Sequence, residues 1–309
     1  MAAMTPIGSG RRSRRPQADV AGRIARSLYR GVAAVEWVPS DEADVFRLTF
    51  SSGLDPRYLK LSIPQSGVVE REVQLLPALR ARGIPVLEFE YSSEDLGGAG
   101  TAFHVTREVE HVPGAELAAS DPSAARCLAI QLGQVVRQLE GLDAAAIPGS
   151  GRWNRRPSDW WRPQYRALLA DPRWPATAHQ WARRILERLN SPPTGFGGWY
   201  CEMLISPNGS FVMIDWTTAG ASWKGEQAAA AMEALAGFSA TSKRDLVRSF
   251  LHGYAPDGLE PAQIAELRLW AIHGPLGWTM LHPPTAAEID RATSDMQLRL
   301  SSDDPAEWF

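Results

Sequence analysis

The chain has 309 residues, of which 44% are hydrophobic, so it can bury a substantial core in one large domain or two of ordinary size. A formal net charge of -3 argues against a general binder of nucleic acids or membrane surfaces, and no apolar run reaches the roughly 18 residues that a membrane span requires. The two cysteines, Cys127 and Cys201, are too few for a disulfide framework. We therefore expect a cytoplasmic protein in which both are small buried residues.

The first part of the chain has the composition of a tail followed by a small sheet. Residues 1–17 combine Gly, Ser and Pro with four arginines, which predicts a disordered basic tail or a segment that docks an acidic partner. Residues 18–112 are predicted to form a five-stranded sheet with one helix, in an N-terminal lobe. The predicted strands are VAAVEWV, DVFRLTF, RYLKLSI, VLEFEYSS and TAFHVTREVE, and the helix is SGVVEREVQLLPALRARGI, in which Pro77 should distort the middle.

Residues 113–309 have a mainly helical pattern. The predicted helices cover about 124–142, 158–170, 176–190, 224–238, 241–253, 260–282 and 285–300. One interruption contains Asn208-Gly209 between two apolar runs and predicts a hairpin over 199–215. A small antiparallel sheet with one helix, a short connector and a larger mainly helical lobe together predict an α+β, two-lobed protein-kinase-like fold.

The end of the predicted hairpin, FVMIDWTTAG, resembles the IDW..AG signature of the aminoglycoside phosphotransferase and choline kinase-like family. In that family the aspartate binds magnesium, so the resemblance implies that Asp215 is a metal ligand. A carboxylate at the end of an apolar strand can hold a cation against phosphate oxygens. The alternative is an aspartate that caps a turn.

Lysine is rare in this chain, which makes Lys60 in the strand RYLKLSI unusual. A charge inside a strand needs a partner, and Lys60 matches the phosphate-contacting lysine of the family. Glu72 is the predicted partner because it shares the helical face of Val69 and Leu76, whereas Glu70 points further round the helix. The alternative is an edge-strand lysine with a solvated glutamate.

The segment FHVTREVEHVPGAEL resembles the hinge of the family, a strand that leads into a glycine-containing connector. In the family this connector offers backbone groups to adenine. The resemblance therefore implies nucleotide-binding positions at Glu108 and Glu110.

The stretch before Asp215 departs from the family pattern. The family has a catalytic loop H-G-D-x-x-x-x-N, whose aspartate accepts the substrate hydroxyl proton and whose asparagine binds a second metal ion. Here the stretch reads GFGGWYCE, which places Gly197 at the aspartate position and Glu202 at the asparagine position. Glu202 is thus a candidate metal ligand and catalytic proton acceptor, and a structural surface residue is the alternative.

Two further segments also depart from the family. The turn PSDEAD has no glycine, and its carboxylates stand where backbone amides would meet phosphates, unless the turn simply points to solvent. After Asp215, Glu226 is only a loose substitute for another aspartate of the family. The carboxylates of the turn are Asp41, Glu42 and Asp44.

Other clusters are assigned to packing. GRWNRRPSDWWRPQYR mixes arginine and tryptophan, which is typical of core tryptophans with solvated arginines, although a surface for an acidic or planar ligand is the alternative. The six histidines, His104 among them, show no metal-ligand spacing and are expected to be structural.

Two functions are consistent with the sequence. The first is a divergent phosphotransferase that uses ATP (or GTP) and Mg²⁺ to modify a hydroxyl of a small molecule or of Ser/Thr in a natural-product peptide, with Lys60 on the phosphates. The second is a catalytically inactive kinase-like protein, a pseudokinase that serves as a binding or scaffold partner of another enzyme. The missing base favours the second, and the presence of Lys60, Glu72 and Asp215 together favours the first.

Overall fold

The structure is a computed structural model that describes residues 16–40, 43–63, 66–96, 100–148, 157–197, 202–216 and 219–309. Most of the predicted tail, the pair Asp41 and Glu42, residues 152–156 and Cys201 lie outside these ranges. The chain divides into two compact units. The sheet unit extends to Glu110 and includes Ile147, and the helical unit begins at His111 and holds the remaining described residues.

The sheet unit is built on five antiparallel strands in the order β1-β2-β3-β5-β4. The five predicted strands and the predicted helix are present, and one further helix, α1, was not predicted. The elements in chain order are α1 Ala18–Leu28, β1 Val32–Val38, β2 Ala43–Phe50, β3 Arg57–Ser62, α2 Val68–Arg80, β4 Phe89–Ser92 and β5 Phe103–Arg107.

Alternation along the strands separates the two faces of the sheet. Leu59 and Leu61 of β3 are buried in a core that also includes Phe46 of β2 and Val105 of β5. Lys60 lies between the two leucines and therefore points to the opposite face. That face is where α2 packs, since α2 contacts β3 and β5.

Sequence analysis did not predict helix α1, although this helix packs against the core of the sheet unit. Ala21, Gly22 and Ala25 are buried, and both alanines belong to the core of the sheet unit. Val20, Ile24 and Leu28, which are spaced four residues apart, pack against the same core, so the spacing of an amphipathic helix was present in the sequence and was missed. Helix α2 continues through Pro77 and ends at Arg80.

The helical unit contains the predicted helices and hairpin within a few residues of their expected ends. Helix α3 and the pairing of β6 with β9 were not predicted, and the hairpin of β7 and β8 is shorter than expected. Its elements are α3 Gly114–Ser120, α4 Pro122–Glu140, α5 Pro157–Ala170, α6 Ala176–Asn190, β6 Gly195–Gly197, β7 Met203–Ile205, β8 Phe211–Met213, β9 Gly220–Ser222, α7 Glu226–Ala236, α8 Lys243–Tyr254, α9 Pro261–Thr279 and α10 Ala286–Leu300.

Helices α4 and α8 pack closely through two glycines. A Cβ atom added at Gly133 would lie 2.1 Å from the carbonyl oxygen of Phe250, and one added at Gly253 would lie 2.0 Å from that of Ile130. Both distances are far shorter than a van der Waals contact. Only glycine allows the two backbones to approach this closely.

Three expectations from composition can be compared with the structure. Trp161 of α5 is 2% exposed, which confirms the packing role expected for it. Cys127 is exposed, so the expectation that it is buried was wrong: it lies on α4 beside, not within, the buried stripe of Ala125, Leu128 and Ala129. Among the described residues, no helix has the length and apolar character needed to cross a membrane.

Candidate functional site

The sheet unit holds a largely buried cluster of three polar side chains, Lys60, Glu72 and His104, which we call the Lys60 cluster. Lys60 Nζ lies 2.7 Å from Glu72 Oε1, and His104 Nε2 lies 3.0 Å from Glu72 Oε2. The predicted pairing of Lys60 with Glu72 is therefore present. The helical-face argument also selected correctly between the two glutamates, because Glu70 contacts the hydroxyl of Ser62 at 2.7 Å instead.

Burial and charge act in opposite directions on Glu72. Burial raises the pKa of its carboxyl, but the Lys60 ammonium and the hydrogen bond from His104 outweigh burial and hold that pKa well below its usual range. Glu72 is thus a carboxylate. The Lys60 side chain remains 20% exposed, against 5% for Glu72, so the ammonium is held on one side and still reaches solvent. Such a lysine can contact an anionic ligand without losing its partner.

The predicted hinge residues lie just after β5. The Glu108 carboxylate forms a two-point ion pair with Arg47 at 2.9 and 3.0 Å, and it accepts a hydrogen bond from the Tyr58 hydroxyl at 3.1 Å. Its backbone N–H donates to the carbonyl of Pro56. Glu110 is exposed. The Glu108 side chain is therefore engaged within the sheet unit, and nucleotide contacts at Glu108 and Glu110 stay a prediction.

Asp44, from the acidic turn, is buried in the sheet unit. It lies in β2, is 4% exposed, and accepts hydrogen bonds from the backbone and side-chain nitrogens of Gln17 at 3.0 and 3.2 Å. The expectation that Asp44 points to solvent was wrong. Gln17 reaches Asp44 from 27 positions away, a pairing that local sequence patterns do not reveal.

In the helical unit, Asp215 follows β8 and is exposed. Its φ of 55° is the only positive value among non-glycine residues in the described ranges. The left-handed region costs an L-residue about 1–2 kcal/mol, less for Asp and Asn, and such strain is concentrated at functional positions. The next residue, Trp216, is 1% exposed and its indole N–H donates to the carbonyl of Met213 at 3.2 Å. This anchor fixes the strained turn and leaves the Asp215 carboxylate exposed.

Glu202 lies beside Asp215 through the backbone of the hairpin. The N–H of Ile214 donates to the carbonyl oxygen of Glu202 at 2.9 Å, which extends the β7–β8 pairing by one step. Glu202 is exposed, as Asp215 is. The two predicted metal ligands therefore belong to neighbouring positions on adjacent chain segments.

The carboxylates present fit one kind of metal site. No group of three or more His, Cys, Asp and Glu side chains that could hold a metal ion occurs in the described ranges. Mg²⁺ keeps several waters and is usually bound by one or two carboxylates together with substrate phosphates. Asp215 and Glu202 would supply the two carboxylates for such an ion, and their role as metal ligands stays a prediction.

Gly197, which the sequence resemblance places at the position of a catalytic aspartate, packs closely against a neighbouring strand. Gly197 ends β6, and a Cβ atom added there would lie 2.9 Å from Ser222 Oγ and 3.0 Å from Ser222 Cβ. The Ser222 hydroxyl donates to Glu226 Oε2 at 2.5 Å, and burial raises the pKa of Glu226. Glu226 therefore supports β9 from within the unit. An aspartate at position 197 would require Ser222 to move.

A buried carboxylate that sequence analysis did not single out lies behind this region. Glu140, 5% exposed at the end of α4, accepts hydrogen bonds from the N–H groups of Gly225 and Ala228 at the start of α7 and from the Tyr254 hydroxyl at 2.6 Å. Burial raises its pKa despite these donors. Glu140 fixes the beginning of α7, where Glu226 lies, so its role is to position the elements around Gly197.

Comparison with known proteins identifies the fold. No protein-family model matches the sequence, and no curated protein matches it. Among solved structures, spectinomycin phosphotransferase in complex with ADP and spectinomycin aligns with a TM-score of 0.56 and 12% identity over 96% of this chain and 98% of that one. The GDP complex of wild-type aminoglycoside 2'-phosphotransferase-IIIa aligns with a TM-score of 0.59 and 14% identity over 92% of this chain and 98% of that one.

Macrolide 2'-phosphotransferase from Brachybacterium faecium, without bound ligand, aligns with a TM-score of 0.54 and 19% identity over 90% of this chain and 96% of that one. The alignments cover nearly the whole of both chains. The chain therefore has the α+β, two-lobed protein-kinase-like fold of the aminoglycoside phosphotransferases, and the fold predicted from the sequence is confirmed.

Proposed function

We propose that this protein is a divergent phosphotransferase that transfers the γ-phosphoryl group of ATP or GTP to a hydroxyl group. The observation that carries the proposal is the Lys60–Glu72 ion pair at 2.7 Å, on a fold whose solved examples include ADP and GDP complexes. A buried carboxylate that holds a partly exposed lysine has no evident benefit for stability, because burying two charges costs about as much as their attraction returns. A binding role for the ammonium accounts for it.

The proposed roles follow from the chemistry of each side chain. In the sheet unit, Lys60 neutralises phosphate charge, and Glu72 orients the Lys60 ammonium. In the helical unit, Asp215 and Glu202 supply carboxylate oxygens for Mg²⁺, which when bound neutralises charge on the transferring phosphate. Glu108 and Glu110 mark the connector proposed to bind the base of the nucleotide through backbone atoms.

Transfer requires that the acceptor hydroxyl oxygen form a bond to the γ-phosphorus, that the bond from this phosphorus to the bridging oxygen break, and that the hydroxyl proton leave. Gly197 has no side chain to accept that proton. Glu202 is the proposed acceptor because it is an exposed carboxylate beside the chain segment that carries Asp215. Positioning and charge neutralisation supply most of the rate in phosphoryl transfer, so a weak base is compatible with activity.

The acceptor is proposed to be a hydroxyl of a small molecule or of Ser/Thr in a natural-product peptide. One of the aligned structures is a complex with spectinomycin, and another is a macrolide phosphotransferase. These support a small-molecule acceptor. Release of ADP that depends on an added acceptor, followed across such compounds, identifies the substrate.

The first prediction concerns the nucleotide. Thermal unfolding is measured with ATP and with GTP, each with and without Mg²⁺, for the wild type and for Lys60→Met. A ligand at about 100 times its Kd stabilises by about 2.7 kcal/mol, which raises Tm by several degrees. We expect a magnesium-dependent rise in the wild type that is lost in Lys60→Met. Lys224→Met, at an exposed lysine of the helical unit, is the matched control and should retain the rise.

A pseudokinase is the second candidate, and Gly197 favours it, because this residue has no side chain to act as a base and a larger one would require Ser222 to move. The titration and the acceptor assay together separate the two functions, because a pseudokinase that retains a nucleotide cleft can also bind ATP. No rise in Tm at millimolar nucleotide contradicts the phosphotransferase. Acceptor-dependent release of ADP contradicts the pseudokinase.

A further inference from the structure

His104 was expected to have a packing role only, yet it is the third member of the Lys60 cluster. It is directly opposite Lys60 in the β3–β5 pairing, and its Nε2 contacts Glu72 Oε2 at 3.0 Å. Its ring stacks on Phe89 with centroids 4.4 Å apart and an angle of 22° between the planes. The imidazole is thus fixed by the strand, by the stacked ring and by the carboxylate.

The contacts of His104 determine where its proton lies. An ionised carboxylate only accepts hydrogen bonds, so the nitrogen that faces Glu72, Nε2, must carry the proton. The other nitrogen, Nδ1, is buried and has no hydrogen-bond partner in the described part of the chain. A second proton there would create a buried, unpaired charged donor. The ring is therefore neutral, and Glu72 keeps its full negative charge for Lys60.

We propose that His104 is a positioning residue for Lys60: by donating its Nε2 proton to Glu72 Oε2, it fixes the plane of the carboxylate so that Oε1 holds the ammonium. The terminal torsion of a glutamate is broad, so a carboxylate bound at one oxygen only can rotate. With both oxygens engaged it cannot rotate without breaking a contact. This proposal rests on the proposed function, in which Lys60 contacts nucleotide phosphates.

The rarity of lysine provides a direct readout. The chain has three lysines, Lys60, Lys224 and Lys243, so protein labelled with ¹³C at the lysine ε-carbon gives three signals. The Lys60 signal is assigned by its loss in Lys60→Arg. The variant Glu72→Gln then defines the Lys60 signal when the ion pair is absent.

Two variants of His104 separate hydrogen bonding from packing. His104→Phe keeps an aromatic ring against Phe89 and removes the donor, and His104→Gln keeps a donor near the position of Nε2. We expect the Lys60 signal to move toward its Glu72→Gln position in His104→Phe and to stay near its wild-type position in His104→Gln. Nucleotide affinity should fall about 3- to 10-fold in His104→Phe and less than about twofold in His104→Gln.

An unchanged Lys60 signal in folded His104→Phe overturns the proposal. If that variant does not fold, His104→Met removes the donor with a flexible side chain, and the same criterion applies to it. Failure of the proposed function has a different signature. In that case the wild type binds no nucleotide, while the lysine signal, which needs no ligand, still reports on positioning.

Discussion

At the scale of single residues, two of the proposed site residues occupy unusual environments. Lys60 is a charged residue inside a strand, held by Glu72 at 2.7 Å. Asp215 is a non-glycine residue at φ 55°. In each case a nearby buried side chain, Glu72 or Trp216, maintains a conformation or charge that would otherwise be unfavourable.

Substitution of Asp215 tests charge and conformation separately. Asn tolerates the left-handed region nearly as well as Asp, whereas Ala does not. We expect Asp215→Asn to keep the Tm of the free protein. The rise in Tm caused by nucleotide should lose the part that depends on magnesium. Asp215→Ala should also lower the stability of the free protein by about 1 kcal/mol. A full magnesium-dependent shift in Asp215→Asn would refute the metal assignment.

At the scale of elements, close backbone contact fixes how helices and strands of the helical unit meet. Gly133 and Gly253 allow α4 and α8 to touch, and Gly197 allows β6 to pass Ser222 of β9. Glu140 ties the end of α4 to the start of α7 through the N–H groups of Gly225 and Ala228. These contacts set the frame from which the β7–β8 hairpin presents Glu202 and Asp215.

The α4–α8 contact predicts a large effect of one methyl group. In Gly133→Ala the new Cβ would lie 2.1 Å from the Phe250 carbonyl oxygen, so the helices must separate. We expect a loss of about 1–3 kcal/mol or more, seen as a lower Tm. The control is Gly141→Ala at the end of the same helix, where the nearest atom would be 3.4 Å away. Equal Tm values for the two variants would contradict the packing argument.

At the scale of the whole molecule, stability depends on pH through buried neutral histidines. Burial lowers the pKa of His273 to about 3, and its Nδ1 lies 2.6 Å from the Tyr165 hydroxyl among tryptophan rings. Its folded-state pKa lies below the unfolded value of about 6.5, so the unfolded chain binds the proton first. Stability from this group is therefore complete above pH 6.5 and is lost as the pH falls toward 3.

The comparison with His273→Asn isolates this effect, because Asn does not titrate and can still bond to Tyr165. At neutral pH the wild type should be more stable, since the variant loses ring packing. The difference in free energy of unfolding should shrink as the pH falls from about 6.5 to about 3. Urea unfolding followed by tryptophan fluorescence measures it, and a difference that is constant with pH would be inconsistent with a neutral, buried His273.

The aligned structures share only 12–19% of their residues with this chain and yet have its fold. Sequence identity at this level does not establish a shared substrate or reaction, because function depends on particular residues in the site. The residues that we propose for the site of this protein are few. The Lys60 cluster and Asp215 can be tested separately, since they belong to different units.

The sequence alone determined the local structure. Short β-rich runs between turn-forming segments predicted the five strands, helical spacing predicted most helices and chose Glu72 over Glu70, and Asn208-Gly209 predicted the hairpin. Only the tertiary structure decided which distant side chains meet. His104 faces Lys60 because β5 pairs with β3, and Asp44 is covered by Gln17. Periodicity reports the environment of a residue along its own element, whereas strand order and register, which pair residues far apart in sequence, depend on how the whole chain packs.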